Sequence, residues 1–522
     1  MGGWGFAMQH RARTVEQASG RRKPPGSSAV RFRALESLAF AGLSFLLLAP
    51  MTAALAVPDE ETALAAIARL GGRYERDVEA AGSPVVKVVL SGAAVDDAAL
   101  GSLKPLEQLR ELYLLETEVT DGGLRNLKNW PQLETLDLGD APITDTGMRY
   151  LTELKQLVKL DLNYTKITDD GLSHLRDLPR LLALGLWHTN ISGQGLAHLR
   201  NSAKLESLDL TETAVTGDGL AKLAKFERLK TLVLDFTSLG DSDFRHLEPL
   251  EGLEVLGLEQ TQITDSGLKR LAGLRRLRSL NLAETSVTGA GFARLSGLAQ
   301  LENLDLRFTA LTDSGLGHLA SLKQLVSLDL QRTAISDAGL ERLRGLSKLK
   351  SLVLAETTVG DSGLERLAAL AGLESLSLWK TRISDSGLSQ LRRLPRLRAL
   401  DLGENEIGDD GLKALATLRD LKKLGLAATE ISDDGLASLR GMTLLESLDL
   451  TRTEISDDGL ARLAPLQLLR SLQLAGTEIG DKGVAKLAAL ASLRELGLQG
   501  TDVSDDAVAS LQRELPKLKV VR

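Results

Sequence analysis

The 522-residue chain contains no cysteine, which excludes disulfide bonds, thiolate metal ligands, a cysteine nucleophile and a lipidated N-terminal cysteine. Aromatic residues make up only 3% of the chain, and there are six histidines. The sequence also lacks a phosphate-binding glycine loop, a Ser-His-Asp arrangement and a zinc-binding motif. Because the sequence contains none of these catalytic motifs, we expect neither an enzyme nor a bound cofactor or metal.

Charge is unevenly distributed along the chain. The first 56 residues hold seven Lys and Arg against two Asp and Glu; the whole chain carries −7, so the remainder carries −12. Nucleic-acid phosphates require a basic face, which an acidic body does not offer, so no nucleic-acid partner is expected. We expect instead a protein or peptide partner, preferably a basic one.

Residues 1–56 have the pattern of a signal peptide with a long basic n-region. Basic residues precede an apolar stretch over 38–48, and the triplet Ala-Leu-Ala over 54–56 resembles a signal-peptidase site. We predict cleavage after Ala56 and no stable membrane insertion afterwards, so that the body is periplasmic, cell-surface or secreted. One alternative stays open, because residues 38–57 are just long enough to act as an uncleaved membrane anchor.

From Val88 onward one pattern recurs every 24 residues without an insertion until the last coil. Each repeat has two apolar residues separated by one residue, and the second of them is leucine at all eighteen positions from Leu90 to Leu498. Paired leucines such as Leu184 and Leu186 project to one side of a strand, whereas leucines three apart indicate a short helix or 3₁₀ turn. No unit can bury its leucines alone, so the units must stack. We predict an α/β solenoid, a curved right-handed stack with a parallel sheet on the concave face and short helices or 3₁₀ turns on the convex face.

The ends of this stack need caps. We assign residues 57–84 to an N-terminal cap with an amphipathic helix over Asp59–Leu70, about eighteen repeats to 85–507, and a capping half-repeat to 508–522. In that half-repeat one extra residue shifts the register, so we expect Leu515, Leu518 and Val521 to take the places of the leucines. Inside the repeats, the column of Thr189 needs hydrogen-bond partners, which the adjoining coil can supply. The segment 168–171 and its copies have the chemistry of helix starts.

The residues Leu181, Leu184, Leu186, Thr189, Ile191, Gly195 and Leu196, with their copies, carry a family resemblance. The pattern over 85–521 resembles bacterial leucine-rich-repeat proteins with 24-residue units of the GALA type, similar in style to the F-box leucine-rich proteins. The resemblance implies the fold and says little about function. Residues 57–84 are too few for an F-box domain, so an adaptor role does not carry over.

Aromatic side chains interrupt the regularity at strand positions that face the concave side. These positions hold Tyr113, Tyr164, Trp187, His188, Phe236, Phe308 and Trp379. Exposed aromatics are typical interface anchors, so we predict a partner-binding surface, with Tyr164, Trp187, His188 and Phe236 forming one patch within four coils. The alternative is that the rings pack on their neighbours and only cover the sheet.

Carboxylates form a second irregularity, an acidic ladder at one position of five successive coils: Glu406, Glu430, Glu454, Glu478 and Asp502. Like charges about 5 Å apart repel, so balance is expected from Lys413, Arg452 or Arg462, or from cations such as Ca²⁺. A solvated rim with helix caps is the favoured interpretation, without a metal site. Further acidic residues on the concave face are Asp137, Asp161, Asp209, Asp305, Asp329, Asp401 and Asp449.

These observations predict a non-catalytic exported scaffold that recognises a protein or peptide through its concave sheet. The alternative is a structural cell-envelope protein without a discrete ligand site, which uniform repeats also fit.

Overall fold

The computed structural model describes residues 58–92 and 94–522, so the predicted leader lies outside the described residues. Within them, twenty strands form one sheet. In chain order, β1 to β20 are Arg73–Arg76, Val85–Ser91, Glu111–Leu115, Thr135–Asp137, Lys159–Asp161, Ala183–Gly185, Ser207–Asp209, Thr231–Val233, Val255–Gly257, Ser279–Asn281, Asn303–Asp305, Ser327–Asp329, Ser351–Val353, Ser375–Ser377, Ala399–Asp401, Lys423–Gly425, Ser447–Asp449, Ser471–Gln473, Glu495–Gly497 and Lys519–Val521.

Short helices return the chain from the end of one strand to the start of the next. The α-helices among the described residues are Pro58–Arg69, Asp97–Ser102, Asp145–Met148, Gly217–Leu220, Asp265–Leu268, Asp313–Leu316, Asp337–Leu340, Asp361–Leu367, Asp385–Leu388, Asp409–Leu415, Asp433–Leu436, Asp481–Lys486 and Asp505–Glu514. The 3₁₀ helices are Gly123–Asn129, Arg149–Leu151, Gly171–Leu175, Gln194–Asn201, Ala221–Lys225, Asp243–Leu247, Lys269–Leu271, Ala290–Arg294, Gly317–Ser321, Glu341–Gly345, Ser389–Arg393, Ala437–Gly441, Gly459–Leu463 and Leu487–Ala489.

The 24-residue period places equivalent residues of neighbouring coils side by side. Leu184 pairs with Leu208, which pairs with Leu232 on the other side, in parallel register. The leucines of strands and helices are almost completely buried and join in one core that continues from coil to coil. At about 25 cal/mol per Å² of buried apolar surface, this stacked core is the main source of stability.

The two ends of the sheet are closed differently. Helix Pro58–Arg69 buries Ala63 and Ile67 against the first coil, and β1 pairs with β2 in antiparallel fashion, which covers the outer edge of β2. At the other end Leu496 pairs with Val520, so Val520 and not Val521 takes the place of the strand leucine, and Val521 is exposed. The predicted register shift is therefore absorbed before the strand, where helix Asp505–Glu514 is longer than its counterparts.

A left-handed residue follows the strand in each of seventeen successive coils. Position 116 and its copies every 24 residues to 500 all have positive φ, between 52° and 59° where the residue is not glycine. This conformation costs L-residues about 1–2 kcal/mol, yet only Gly476 and Gly500 avoid that cost. The turn is kept because its N–H reaches the next coil: His188 N donates to the carbonyl of Thr211 at 2.9 Å.

A second inter-coil contact is made by an aspartate at the start of most helical segments. The carboxylate of Asp409 accepts hydrogen bonds from the backbone N–H (2.9 Å) and hydroxyl (2.6 Å) of Ser432 in the next coil. A side chain on Gly435 would collide with this carboxylate. The same clamp to a Thr or Ser 23 residues later is made by Asp97, Asp121, Asp145, Asp169, Asp241, Asp265, Asp313, Asp361, Asp433 and Asp481.

The hydrogen bonds of one of these aspartates, Asp361, lower its pKa. Burial acts to raise the pKa of Asp361, but hydrogen bonds from Ser384 and Ser386 outweigh it, so the pKa lies below its usual range. Because the folded-state pKa is depressed, Asp361 contributes stability above its unfolded-state pKa, and that contribution is lost as the pH falls through the folded-state value.

Two expectations about hydrogen bonds are settled by these contacts. The helix-start chemistry is confirmed, since Thr144 accepts a hydrogen bond from the N–H of Thr146 as an N-cap. The expectation that the threonine column bonds to the adjoining coil is wrong: Thr189 Oγ1 donates to the carbonyl of Leu186 in its own turn at 2.6 Å. The short threonine side chain reaches backbone carbonyls of its own turn, whereas the longer Asn405 donates to Leu378 O of the preceding coil and accepts from Thr381 Oγ1.

We expect Ala428→Gly to stabilise the protein by about 0.5–1 kcal/mol, because the gain from relieving a left-handed alanine exceeds the entropy that glycine loses on folding. The neighbouring Ala427→Gly is the matched control and should destabilise by about 0.5–1 kcal/mol, since its φ is not positive. The free energy of unfolding in urea measures both. A loss of stability in Ala428→Gly would contradict the strain argument.

We expect Asp409→Ala to lower the free energy of unfolding by about 1–3 kcal/mol, because two donors of Ser432 lose their acceptor. The adjacent Asp410→Ala is the control and should change it by less than about 0.5 kcal/mol, since Asp410 pairs only with exposed Lys413. Equal effects of the two substitutions would show that the clamp between coils contributes nothing.

Candidate binding surface

The outward side of the sheet is lined by the residues that alternate with the strand leucines. Leu208 and Leu210 point into the core, so Ser207, Asp209 and Thr211 lie on the opposite side. We call this side the sheet face. The left-handed residue that follows, here Glu212, borders it where the chain leaves the strand.

The sequence-predicted aromatic residues differ in exposure. His188 is exposed, and Tyr113, Tyr164, Phe236 and Phe308 are partly buried. The expectation of exposed rings is wrong for both tryptophans, because Trp187 is 3% and Trp379 is 8% exposed.

The burial of Trp379 has a local cause. The indole lies against Gly403, where any side chain would collide with it, and packs with Val353 and Ala355. Small neighbours therefore let this ring lie down on the sheet. For Trp379 the packing interpretation replaces that of an exposed anchor.

Three of the predicted residues meet in one aromatic cluster, which comprises Tyr164, Trp187 and His188. The rings of Tyr164 and Trp187 meet edge to face, with 4.7 Å between their centres, and His188 stacks on Tyr164 with 4.6 Å between the ring centres. Glu212 of the next coil holds the cluster, accepting a hydrogen bond from Trp187 Nε1 at 3.3 Å and lying 3.2 Å from His188 Nδ1. Among the described residues no ring contact reaches Phe236, so the predicted patch contains three of its four members.

Three of the remaining predicted rings, those of Tyr113, Phe308 and Trp379, each have a cation of this chain above them. Lys87 lies 5.7 Å from the centre of the Tyr113 ring, Arg332 lies 5.3 Å from Phe308, and Lys380 lies 5.3 Å from Trp379. These residues are far apart along the sheet and do not form a common patch with the aromatic cluster.

Carboxylates adjoin the aromatic cluster on the sheet face. Asn163 connects the two: its Oδ1 accepts from Trp187 N at 2.8 Å, while its own N and Nδ2 donate to Asp161 at 2.9 and 3.1 Å. Burial raises the pKa of Asp161 to about 8, and the charges of Asp137 and Asp209 add to the rise. A proton is therefore held among these acids at neutral pH, and the sheet face becomes more negative above pH 8.

A second buried charge group lies further along the sheet face. Arg307 contacts Glu259, two coils away, at 3.1 Å and Asp305 at 3.3 Å, and Glu259 N donates to buried Asp235 at 2.7 Å. Burial raises the pKa of Asp305 to about 7, against the opposing effect of Arg307. Arg307 thus forms ion pairs with both Glu259 and Asp305.

Sequence reasoning missed Asn163, Glu212, Asp235, Glu259 and Arg307. Each occupies a regular sheet-face or left-handed position, and a search of those positions for large polar residues would have found them.

The acidic ladder is present as a row of exposed side chains. Adjacent members are linked through the backbone bridges of their coils. The expected balance by Lys413 and Arg462 is wrong, because these cations pair with Asp410 and Asp434 on the helical side. Within the described residues no ion pair involves the five ladder carboxylates, and no group of three or more His, Asp and Glu is arranged to hold a metal.

A family model described as leucine-rich repeat matches seven stretches of the chain, namely residues 131–151, 155–175, 201–224, 345–368, 394–416, 441–464 and 466–488. No curated protein matches the sequence. The solved complex of TLR13 with ssRNA13 is similar to this chain at a TM-score of 0.55 and 20% identity, over 81% of this chain and 69% of that one. The fold is a leucine-rich-repeat solenoid.

Other leucine-rich-repeat structures match with lower scores. The plant peptide hormone receptor RGFR1 in complex with RGF2 has a TM-score of 0.41 and 17% identity, over 79% of this chain and 81% of that one. An internalin (InlF) from Listeria monocytogenes has a TM-score of 0.30 and 20% identity, over 90% and 98%. At these identities, likeness establishes the fold alone.

The leucine-rich-repeat solenoid predicted from the 24-residue period is confirmed, with its parallel sheet and short helices. Such repeats commonly serve as scaffolds that bind proteins or other ligands rather than as enzymes. In the described part of the solenoid, no helix combines the length and the apolar character that crossing a bilayer requires.

We expect Asp137→Asn to lower the pKa of Asp161 from about 8, because the charge of Asp137 is one cause of its rise. The substitution keeps the oxygen that accepts from Gly139 N. Asp449→Asn, at the equivalent position twelve coils from Asp161, keeps a matching bond to Thr451 N and should leave the pKa of Asp161 unchanged. Carboxyl ¹³C NMR titration measures the pKa.

A wild-type Asp161 that titrates near 4 would contradict this account of the sheet face. Because the folded state holds a proton that the unfolded state has lost, wild-type stability should also fall as the pH rises from about 4 to 8.

Proposed function

We propose that the protein is an exported, non-catalytic scaffold that binds a protein or peptide on the concave sheet face, at the aromatic cluster. The observation that carries this proposal is that Tyr164 and His188 stack beside the half-buried acids of the same face. Export rests on the leader pattern of residues 1–56.

The chemistry of the cluster favours a cationic side chain as the group that is recognised. A lysine or arginine of a partner can lie on the partly buried ring of Tyr164 and approach the carboxylate of Glu212. Cation–π contacts contribute about 0.5–2 kcal/mol, more where the group is desolvated. The acidic sheet face also disfavours nucleic-acid phosphates, which supports a protein or peptide partner.

The surface is already ordered before a partner arrives. Trp187 is buried, and its indole and backbone are both hydrogen-bonded. A partner would therefore meet rings whose side-chain freedom is already reduced, which lowers the entropy lost on binding.

The test is selection of a random peptide library displayed on phage against the purified protein and a Tyr164→Ala/His188→Ala variant. We expect the wild type to enrich peptides rich in lysine and arginine, and the variant to bind them at least about tenfold more weakly, as is usual for aromatic anchors. Trp187 is left intact because its removal would open a cavity.

Tyr150→Ala is the matched control, since Tyr150 lies on the helical side of a neighbouring coil. It should retain the wild-type affinity. Peptides that bind the wild type and the double variant equally well, or a selection that enriches no peptide, would rule out this site.

A further inference from the structure

The turns on the two sides of the strands carry opposite charge along the whole solenoid. The basic rim is defined as residues 104–110 and their copies every 24 residues to 488–494; it holds 27 Lys and Arg against 13 Asp and Glu. The acidic rim is defined as residues 116–122 and their copies to 500–506; it holds 32 Asp and Glu against 6 Lys and Arg.

The parallel sheet places these rims along opposite edges. Residues 104–110 lead into β3 and residues 116–122 follow it, and in-register pairing repeats this order coil after coil. Six residues of extended chain separate equivalent points of the two rims, or about 20 Å. At physiological salt the Debye length is about 8 Å, so an approaching molecule experiences one rim without the other.

On the acidic rim, some carboxylates pair with cations of the same chain, as Asp410 does with Lys413, but those of the ladder do not. The ladder residues Glu406, Glu430, Glu454 and Glu478 are exposed, and none makes an ion pair within the described residues. Adjacent coils are joined through backbone bridges at these residues, so the carboxylates recur once per coil.

On the basic rim, the densest segment belongs to the same part of the solenoid. Arg392, Arg393, Arg396 and Arg398 are exposed, and in the described chain none lies within ion-pair distance of a carboxylate. Glu374 in the preceding coil is engaged by Lys350 at 2.9 Å, and this hydrogen bond, with the charges of Arg398 and Arg396, holds the pKa of Glu374 below its usual range. The segment is therefore a concentrated positive surface.

We propose that two copies of this chain associate side by side, with the basic rim of one copy against the acidic rim of the other. The second copy fits because both rims have the same 24-residue period, so that charges facing each other in one coil also face each other in the next. Single exposed ion pairs contribute only about 0.2–1 kcal/mol, and the repetition supplies many of them.

This contact is heterologous, because it joins two different surfaces of the same molecule, and it leaves one basic and one acidic rim free at the ends of each pair. Side-by-side addition can therefore continue into a ribbon. The sheet face takes no part in the contact and stays available to the peptide of the proposed function, so each proposal can fail without the other.

The test is sedimentation velocity of the purified protein at about 0.1 M and 1 M salt, where the Debye length falls from about 10 Å to 3 Å. We expect dimers and larger species at the lower salt and monomers at the higher. The variant R392E/R393E/R396E/R398E reverses the densest segment of the basic rim and keeps the acidic rim, and the variant E406K/E430K/E454K/E478K reverses the exposed ladder of the acidic rim and keeps the basic rim. Each should be monomeric. Their equimolar mixture should associate again.

The control variant K222E/R294E/R342E/R366E reverses four exposed charges on the helical side and should associate like the wild type. Circular dichroism checks that every variant keeps the native fold. A wild type that stays monomeric at the lower salt, rim variants that associate as it does, or a mixture that remains monomeric would overturn the proposal.

Discussion

Burial of leucines between coils is the interaction on which the rest of the structure depends. One coil presents its leucines to the next and cannot shield them by itself, so neither a strand nor a helical segment is stable without its neighbours. Leu184, Leu208 and Leu232 stay aligned only because each coil has the same length. A one-residue slip would turn the strand leucines toward solvent, which accounts for the constant period while residue types vary.

The turn after each strand shows how stacking overrides local preference. The left-handed backbone is unfavourable for most residues found there, Tyr164 and Phe308 included, yet it recurs in every coil of this region because it directs an N–H to the next one. The aspartate clamp works in the same direction. Both contacts join neighbouring coils, so local conformational cost is offset by cooperation between repeats.

The architecture could be predicted from the sequence because it depends on period alone. The spacing of Leu184 and Leu186 implies a strand, and the stacked core follows from the repetition. The candidate site was harder to predict from the sequence, because the burial of a side chain on the sheet face depends on the residues of the neighbouring coil. Trp379 is buried because residue 403, one repeat later, is glycine, and Trp187 because Tyr164 and Glu212 surround it.

The ion-pair partners of the charged residues were the feature hardest to predict from the sequence. Lys413 and Arg462 are near the acidic ladder in sequence, but their side chains lie on the helical side. There they form ion pairs with Asp410 and Asp434. Conversely, Arg307 reaches Glu259 across 48 residues, a pairing visible only when coils two repeats apart are stacked.

The core positions must hold apolar residues, so functional side chains can lie only at positions that do not take part in stacking. Those positions fall on two surfaces: the sheet face, where side chains differ from coil to coil, and the rims, where charge is repeated. Irregularity suits recognition of one particular partner, because a unique cluster such as Tyr164 with His188 occurs once. Repetition suits a partner with the same period. A solenoid can therefore carry a local site and an extended contact without conflict, because the two draw on different columns of one repeat.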